Sequence, residues 1–276
     1  MAKQISPGKM SIVCLLFSCH LYALDNLFVM TIQDHTRYIH SNGVPSAYGT
    51  FPNSKNPNKL VEQNYNFKMP LYPKFNIEIT PLSPYTFFGV ATDGIPYNPG
   101  TNNNWHNDPN WTYEFVDNKD QLGMDFYNTH LQENGAYHYQ GLPTELIIGQ
   151  PNNEHSKIVG YAADGFPIYA NFGFSDPKKL NSSIKKLYSS YELRSGTRPS
   201  GPGGTYDGTF TQDYEYVAKS GDLDECNGRY GVTPEYPDGT YAYFLTEEFP
   251  QIPRCFKGIP DPSFNKSTKD HEKPDW

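Results

Sequence analysis

One pattern constrains this chain more than any other. Gly89-Val90-Ala91-Thr92-Asp93-Gly94-Ile95-Pro96-Tyr97 is paralleled by Gly160-Tyr161-Ala162-Ala163-Asp164-Gly165-Phe166-Pro167-Ile168-Tyr169, so Gly-x-Ala-x-Asp-Gly-x-Pro occurs twice. Each copy has a downstream partner in the same order. Asp125 to His130 leads to Asn134-Gly135-Ala136-Tyr137-His138-Tyr139, and Asp224 to Arg229 leads to Asp238-Gly239-Thr240-Tyr241-Ala242-Tyr243. Short runs ending in Asp-Gly read as strand, turn, strand. Two such units, at about 87–142 and 158–249, point to a degenerate duplicated β unit closing on itself, since two copies are too few for an open solenoid.

Composition supports short strands and tight turns. The chain holds 22 Tyr, 17 Phe and 3 Trp interleaved with 23 Gly and 24 Pro, and aromatic residues between turn formers favour β structure over long helices. Strands are expected at Phe75 to Ile79, Phe87 to Ala91, Tyr113 to Phe115, Ala136 to Gln140, Leu146 to Ile148 and Ile158 to Ala162, after a polar, turn-rich stretch from Leu24 to Phe67. One short helix is expected near 177–191. Ser175-Asp176-Pro177 offers a cap and a first-turn proline, Leu180, Ile184, Leu187 and Tyr191 share a helical face, and Lys178, Lys179, Lys185 and Lys186 are its solvated side. The expected fold is mainly β, a single domain over 24–256 with a polar tail at 257–276.

Residues 1–23 read as a signal peptide. Lys3 and Lys9 precede an apolar stretch from Met10 to Ala23 that is too short to span a bilayer, which places the product in the periplasm or outside the cell. Leu16-Phe17-Ser18-Cys19 offers a lipobox-like alternative in which Cys19 carries a lipid anchor. No later segment suits a transmembrane helix. Loss of the two presequence lysines takes the formal charge from -8 to -10 and leaves no basic block, which excludes nucleic acid as a partner. Cys226 and Cys255 are then the only cysteines, and in an oxidising compartment they are expected to form one disulfide.

The chemistry-bearing residues gather around His138. Period-two alternation places Ala136, His138 and Gln140 on one face of a strand and Tyr137 and Tyr139 on the other. With Glu133-Asn134-Gly135 as a three-residue hairpin loop, His130 falls opposite His138, close enough for both imidazoles to reach one metal ion or one substrate group. A two-residue Asn134-Gly135 loop would slip the register and separate them. The second copy carries Arg229 and Ala242 at the equivalent places. Two histidines alone make an incomplete zinc or copper site, so Asp93, Asp164 and His106 are the candidate further ligands, with Asn128, Gln140 and Arg229 as polar neighbours. Set against this are two other readings: the histidines as hydrogen-bonded core residues, and each Asp as the cap of its own Asp-Gly turn. Trp105 and Trp111 suit an exposed recognition loop.

These residues together resemble the YHYH domain family of exported proteins, over about Phe87 to Lys257. The resemblance rests on Asp93 to Tyr97, on His130 with Tyr137-His138-Tyr139, on Gly160 to Tyr169, and on Asp222 to Arg229 through Pro253 to Lys257. The naming motif has a second histidine where this chain has Gln140, and the resemblance implies no catalysis. Three classes of function follow: a metal-binding or hydrolase-like protein centred on His130 and His138 and taking zinc or copper; a saccharide- or surface-binding module of the cell envelope that stacks small molecules or sugars on Trp105 and Trp111; and a structural envelope protein.

Overall fold

A computed structural model describes residues 24–101, 103–115 and 123–266. The expected signal peptide over 1–23, with its Cys19 alternative, and residues 267–276 of the expected tail lie outside the described residues. Among the described residues no helix is long and apolar enough to cross a membrane.

The chain is mainly β. Strands β1 (Phe28–Gln33), β2 (Thr36–Ser41) and β3 (Tyr65–Pro70) form a first antiparallel sheet. There follow β4 (Thr80–Pro81), β5 (Gly89–Ala91), β6 (Pro96–Tyr97), β7 (Thr129–Leu131), β8 (Tyr137–Tyr139), the single turn α1 (Thr144–Ile147), β9 (Ile158–Ala162) and β10 (Pro167–Tyr169). The remainder comprises β11 (Phe172–Phe174), β12 (Ile184–Lys186), β13 (Tyr191–Leu193), β14 (Tyr214–Tyr216), β15 (Gly228–Gly231), β16 (Thr240–Phe244) and β17 (Cys255–Phe256).

Eight of these strands make the central sheet, in the order β15-β16-β10-β9-β5-β6-β8-β7. The strands β5, β6, β8 and β7 run outward from the centre in the same order and sense as β9, β10, β16 and β15. In each set a hairpin is followed by a parallel pair and then an antiparallel one. The sets meet through antiparallel pairing of β5 with β9. The expected closure of the units on themselves is not found, because β7 and β15 are the outermost strands of an open sheet and do not pair with each other.

The Asp-Gly turns show why the sequence folds this way. Asp93 Oδ1 accepts from the Ile95 amide, and Gly94 holds φ +88° directly beneath Ser41 of β2. Asp164 and Gly165 (φ +93°) repeat the arrangement beneath Pro70 of β3. Only glycine adopts this backbone without strain and admits so close an approach, so the first sheet rests across both turns. The core is aromatic: Phe88 stacks on Phe256 and meets Tyr243 edge-on, while Tyr97 packs on Tyr139.

Several expected elements differ. Residues 24–67 are not merely turns, since they supply β1, β2 and the start of β3. Phe75 to Ile79 forms no strand: it has no ladder partner, and the Asn76 side chain turns the chain by accepting from the Ile77 amide. Tyr113 to Phe115 is reduced to a single bridge with Phe210, and Leu146 to Ile148 follows from the turn of α1 rather than forming a strand. The helix near 177–191 is absent. Asn181 takes φ +63°, the Ser175 amide donates to the Ser183 carbonyl, and residues 175–183 form the loop of the β11–β12 hairpin, while 184–186 are β12 itself and Tyr191 opens β13. Lys185 and Lys186 pair with Asp222 and Glu247. Residues 257–266 are not a loose tail, because Phe264 is fully buried and stacks on Phe67 at 4.5 Å.

Candidate functional site

The hairpin that carries the histidines is built by its loop. The Gln132 amide donates to the Ala136 carbonyl across residues 133–135, Asn134 caps the Ala136 amide, and Gly135 takes φ +80°. This is the three-residue loop, and it sets the register Leu131↔Tyr137, His130↔His138, Thr129↔Tyr139. The two imidazoles stand edge to face with centroids 5.5 Å apart.

Tyr137 and Tyr139 point the other way, where each donates to a carboxylate: Tyr137 to Asp125 at 2.7 Å and Tyr139 to Asp93 at 2.8 Å. Tyr241 and Tyr243 do the same with Asp224 and Asp164. The Tyr-x-Tyr spacing therefore serves both sets of strands alike. The histidine pair belongs to one, since the corresponding cross-strand pair on β15 and β16 is Arg229↔Ala242.

His138 is 2% exposed, and among the described residues neither ring nitrogen has a hydrogen-bond partner of ordinary geometry, the Ala136 backbone providing only a weak favourable contact. Gln140 Oε1, just beyond β8, is also buried without a partner among the described residues. Burial, then repulsion from His130 and from Lys266, hold His138 well below the usual imidazole range. Burial alone lowers His130 to about 4. Both rings are neutral near pH 7 and keep an unprotonated nitrogen, the form that ligates a metal.

The other candidates are dispersed. Asp93 and Asp164 cap their own turns and accept from tyrosines; burial raises each to about 6 against those hydrogen bonds. Asp93 thus lies across the strand from His138, with Tyr139. His106 sits in a tight turn at φ +49°, beside Trp105 with ring centroids 4.4 Å apart. Among the described residues no three His, Cys, Asp or Glu side chains converge as a metal site. Among the described residues neither Asp93 nor Asp164 joins the pair in such a group, and His138 is buried.

Asn128 shapes the turn before β7, with φ +61° and its amide donating to Leu142. Arg229 donates to the Phe174 carbonyl and lies over Phe244. Trp105 is half-buried. Trp111 is buried against Gly201 and Phe210 and is no exposed platform. Cys226 and Cys255 form the disulfide, with Cα atoms 5.1 Å apart. Sequence reasoning passed over Lys266, which lay in the expected tail: its ammonium donates to Asn98 and Pro84 and reaches the field of His138.

No curated protein and no solved structure matches the chain. A family model described as "YHYH protein" matches residues 66–258, which takes in both sets of central strands and most of the chain. The Tyr137-His138-Tyr139 strand, its facing His130 and the surrounding sheet therefore belong to a member of the YHYH family.

Proposed function

We propose that His130 and His138 bind a transition-metal ion, zinc or copper, and that this exported protein works as a metal-binding or hydrolase-like protein. The observation that carries the reading is the pair of facing, neutral imidazoles, with His138 and Gln140 presenting buried polar atoms that no hydrogen bond of ordinary geometry satisfies among the described residues. Buried polar atoms are nearly always hydrogen-bonded, so such a cluster calls for a partner. Imidazole nitrogen suits zinc and copper, and an amide oxygen is a weaker third donor. Lys266 opposes a bare dication and favours one that keeps an anionic ligand from solution. The saccharide reading built on Trp105 and Trp111 loses its second platform with the burial of Trp111.

The test is titration of chelator-treated protein with Zn(II), Cu(II) and Cu(I), read by elemental analysis and thermal midpoint. One ion per chain is expected. At a free concentration 100 times Kd, binding contributes about 2.7 kcal/mol, or roughly 5–10 °C in midpoint for a domain of this size. His138→Ala and His130→Ala should each abolish the shift. Absence of stoichiometric binding, or binding that survives both substitutions, overturns the proposal.

A further inference from the structure

At the other end of the central sheet a cleft of about 440 Å³ opens between the 75–79 segment and the β15–β16 hairpin. Its floor is polar. Lys257 Nζ lies 2.6 Å from Glu225 Oε1 and 3.2 Å from Asp224 Oδ2, and the Tyr241 hydroxyl donates to Asp224. The floor is also fixed: Asp224 Oδ1 accepts from the Cys226 and Gly228 amides, and the Cys226–Cys255 disulfide anchors the segment from below. The walls are apolar and wet. Phe75 is 55% exposed, Tyr230 60%, and Ile77 fully so, while the Asn76 amide ties this wall to the Lys257 carbonyl at 2.7 Å.

The corresponding Tyr137–Asp125 pair of the other set shows what is unusual here. Asp125 Oδ2 accepts from the Gly49 amide at 3.0 Å, so fixed backbone occupies that position. Asp224 has instead a lysine ammonium on a flexible stem, facing a cleft whose volume lies within the ~300–1,000 Å³ range of small-ligand sites.

The chemistry of the lining selects among ligands. Two carboxylates already neutralise Lys257, which disfavours an anion. A wholly apolar ligand would strip water from charged groups at a large cost. A sugar presents hydroxyls that both donate and accept along its edge and a C–H face that packs on an aromatic ring. We infer that this cleft binds a pyranose unit of a saccharide, with hydroxyls on Glu225, Asp224 and Lys257 and the ring face against Tyr230. This site is separate from the histidine pair and uses neither Trp105 nor Trp111.

A printed array of neutral, amino and uronic-acid glycans probed with the full exported chain, followed by calorimetry on the best soluble oligosaccharide, tests the inference. Saturable binding is expected. Tyr230→Ala and Glu225→Gln should each weaken it by about tenfold, equivalent to about 1.4 kcal/mol, with the thermal midpoint of Tyr230→Ala unchanged because that side chain is solvent-facing. His138→Ala should bind the sugar as the parent does. No saturable binding on the array overturns the inference, as does binding that both cleft substitutions leave intact.

Discussion

At His138 desolvation outweighs every other influence on the ring, and its consequence is a dependence of stability on acidity. In the folded chain burial lowers His130 to about 4 and holds His138 well below the usual imidazole range, whereas an unfolded histidine takes its proton near 6.5. The unfolded state therefore binds protons first. The stability these rings contribute is complete above about pH 6.5 and is lost progressively as the pH falls toward 4. Asp93 and Asp164 act with the opposite sign in an overlapping window. Raised to about 6, they protonate first in the folded state, so the cost of burying them as anions is relieved as the pH falls from 6 to 4. The wild-type profile mixes the two effects, and substitution separates them. In metal-free protein, the thermal midpoint of the His130→Gln/His138→Gln variant relative to wild type should rise between pH 7.5 and pH 4.5. For Asp93→Asn the same difference should fall. Midpoint differences independent of pH would show that neither group is held away from its ordinary range.

The β7–β8 hairpin turns on one residue of its loop. A Cβ at Gly135 would stand 2.5 Å from Val61 Cβ and 2.8 Å from the Lys59 carbonyl, on a backbone already at φ +80°. Gly149 has a similar φ, +77°, with nothing within 4 Å. Gly149→Ala thus isolates conformational strain, at about 1 kcal/mol, while Gly135→Ala adds a steric clash and should cost ~2–4 kcal/mol. Urea midpoints of the two variants measure the difference, and equal losses would mean that the 59–61 segment yields freely. This hairpin was readable from sequence because alternation, a glycine at the left-handed loop position and the spacing of the histidines agree. Elements that went unread lacked such agreement. In β2 the inward residues are Arg37, Ile39 and Ser41, with Tyr38 outward. Arg37 is buried under the Tyr161 ring at 3.6 Å, so the polarity pattern is disguised. Phe75 to Ile79 alternates like a strand but makes only the single Asn76–Lys257 backbone bond and no ladder, and Leu146 to Ile148 is too short an apolar run to separate strand from helical turn. Around the site, the register followed from local sequence. The sealing of His138, the approach of Lys266 and the burial of Trp111 under Gly201 depend on residues distant in the chain.

Over the whole molecule, the central sheet is open at both ends, and each edge is secured differently. The β7 edge is covered by the 56–61 segment, whose Asn56 and Asn58 side chains donate to the Leu131 carbonyl. Near the β15 edge, the Cys226–Cys255 bond ties the turn entering β15 to β17, which pairs with β4. Those strands lie far apart in sequence, so the bond joins the second set of strands to the β4–β17 pair, next to the 75–79 wall of the cleft. Its sequence separation of 29 corresponds to about 3–4 kcal/mol in the chain-entropy account. Both sulfurs are buried, so serine at these positions would place hydroxyls in an apolar setting; alanine is the cleaner substitution. The Cys226→Ala/Cys255→Ala variant should lose about 3–4 kcal/mol in urea denaturation, and its m-value should rise because the unfolded chain, freed of the crosslink, exposes more surface. Metal binding at the distant His130–His138 pair should persist below the new midpoint. A variant with an unaltered urea midpoint would show that the β15 edge is held by its hydrogen bonds and core contacts without the covalent tie.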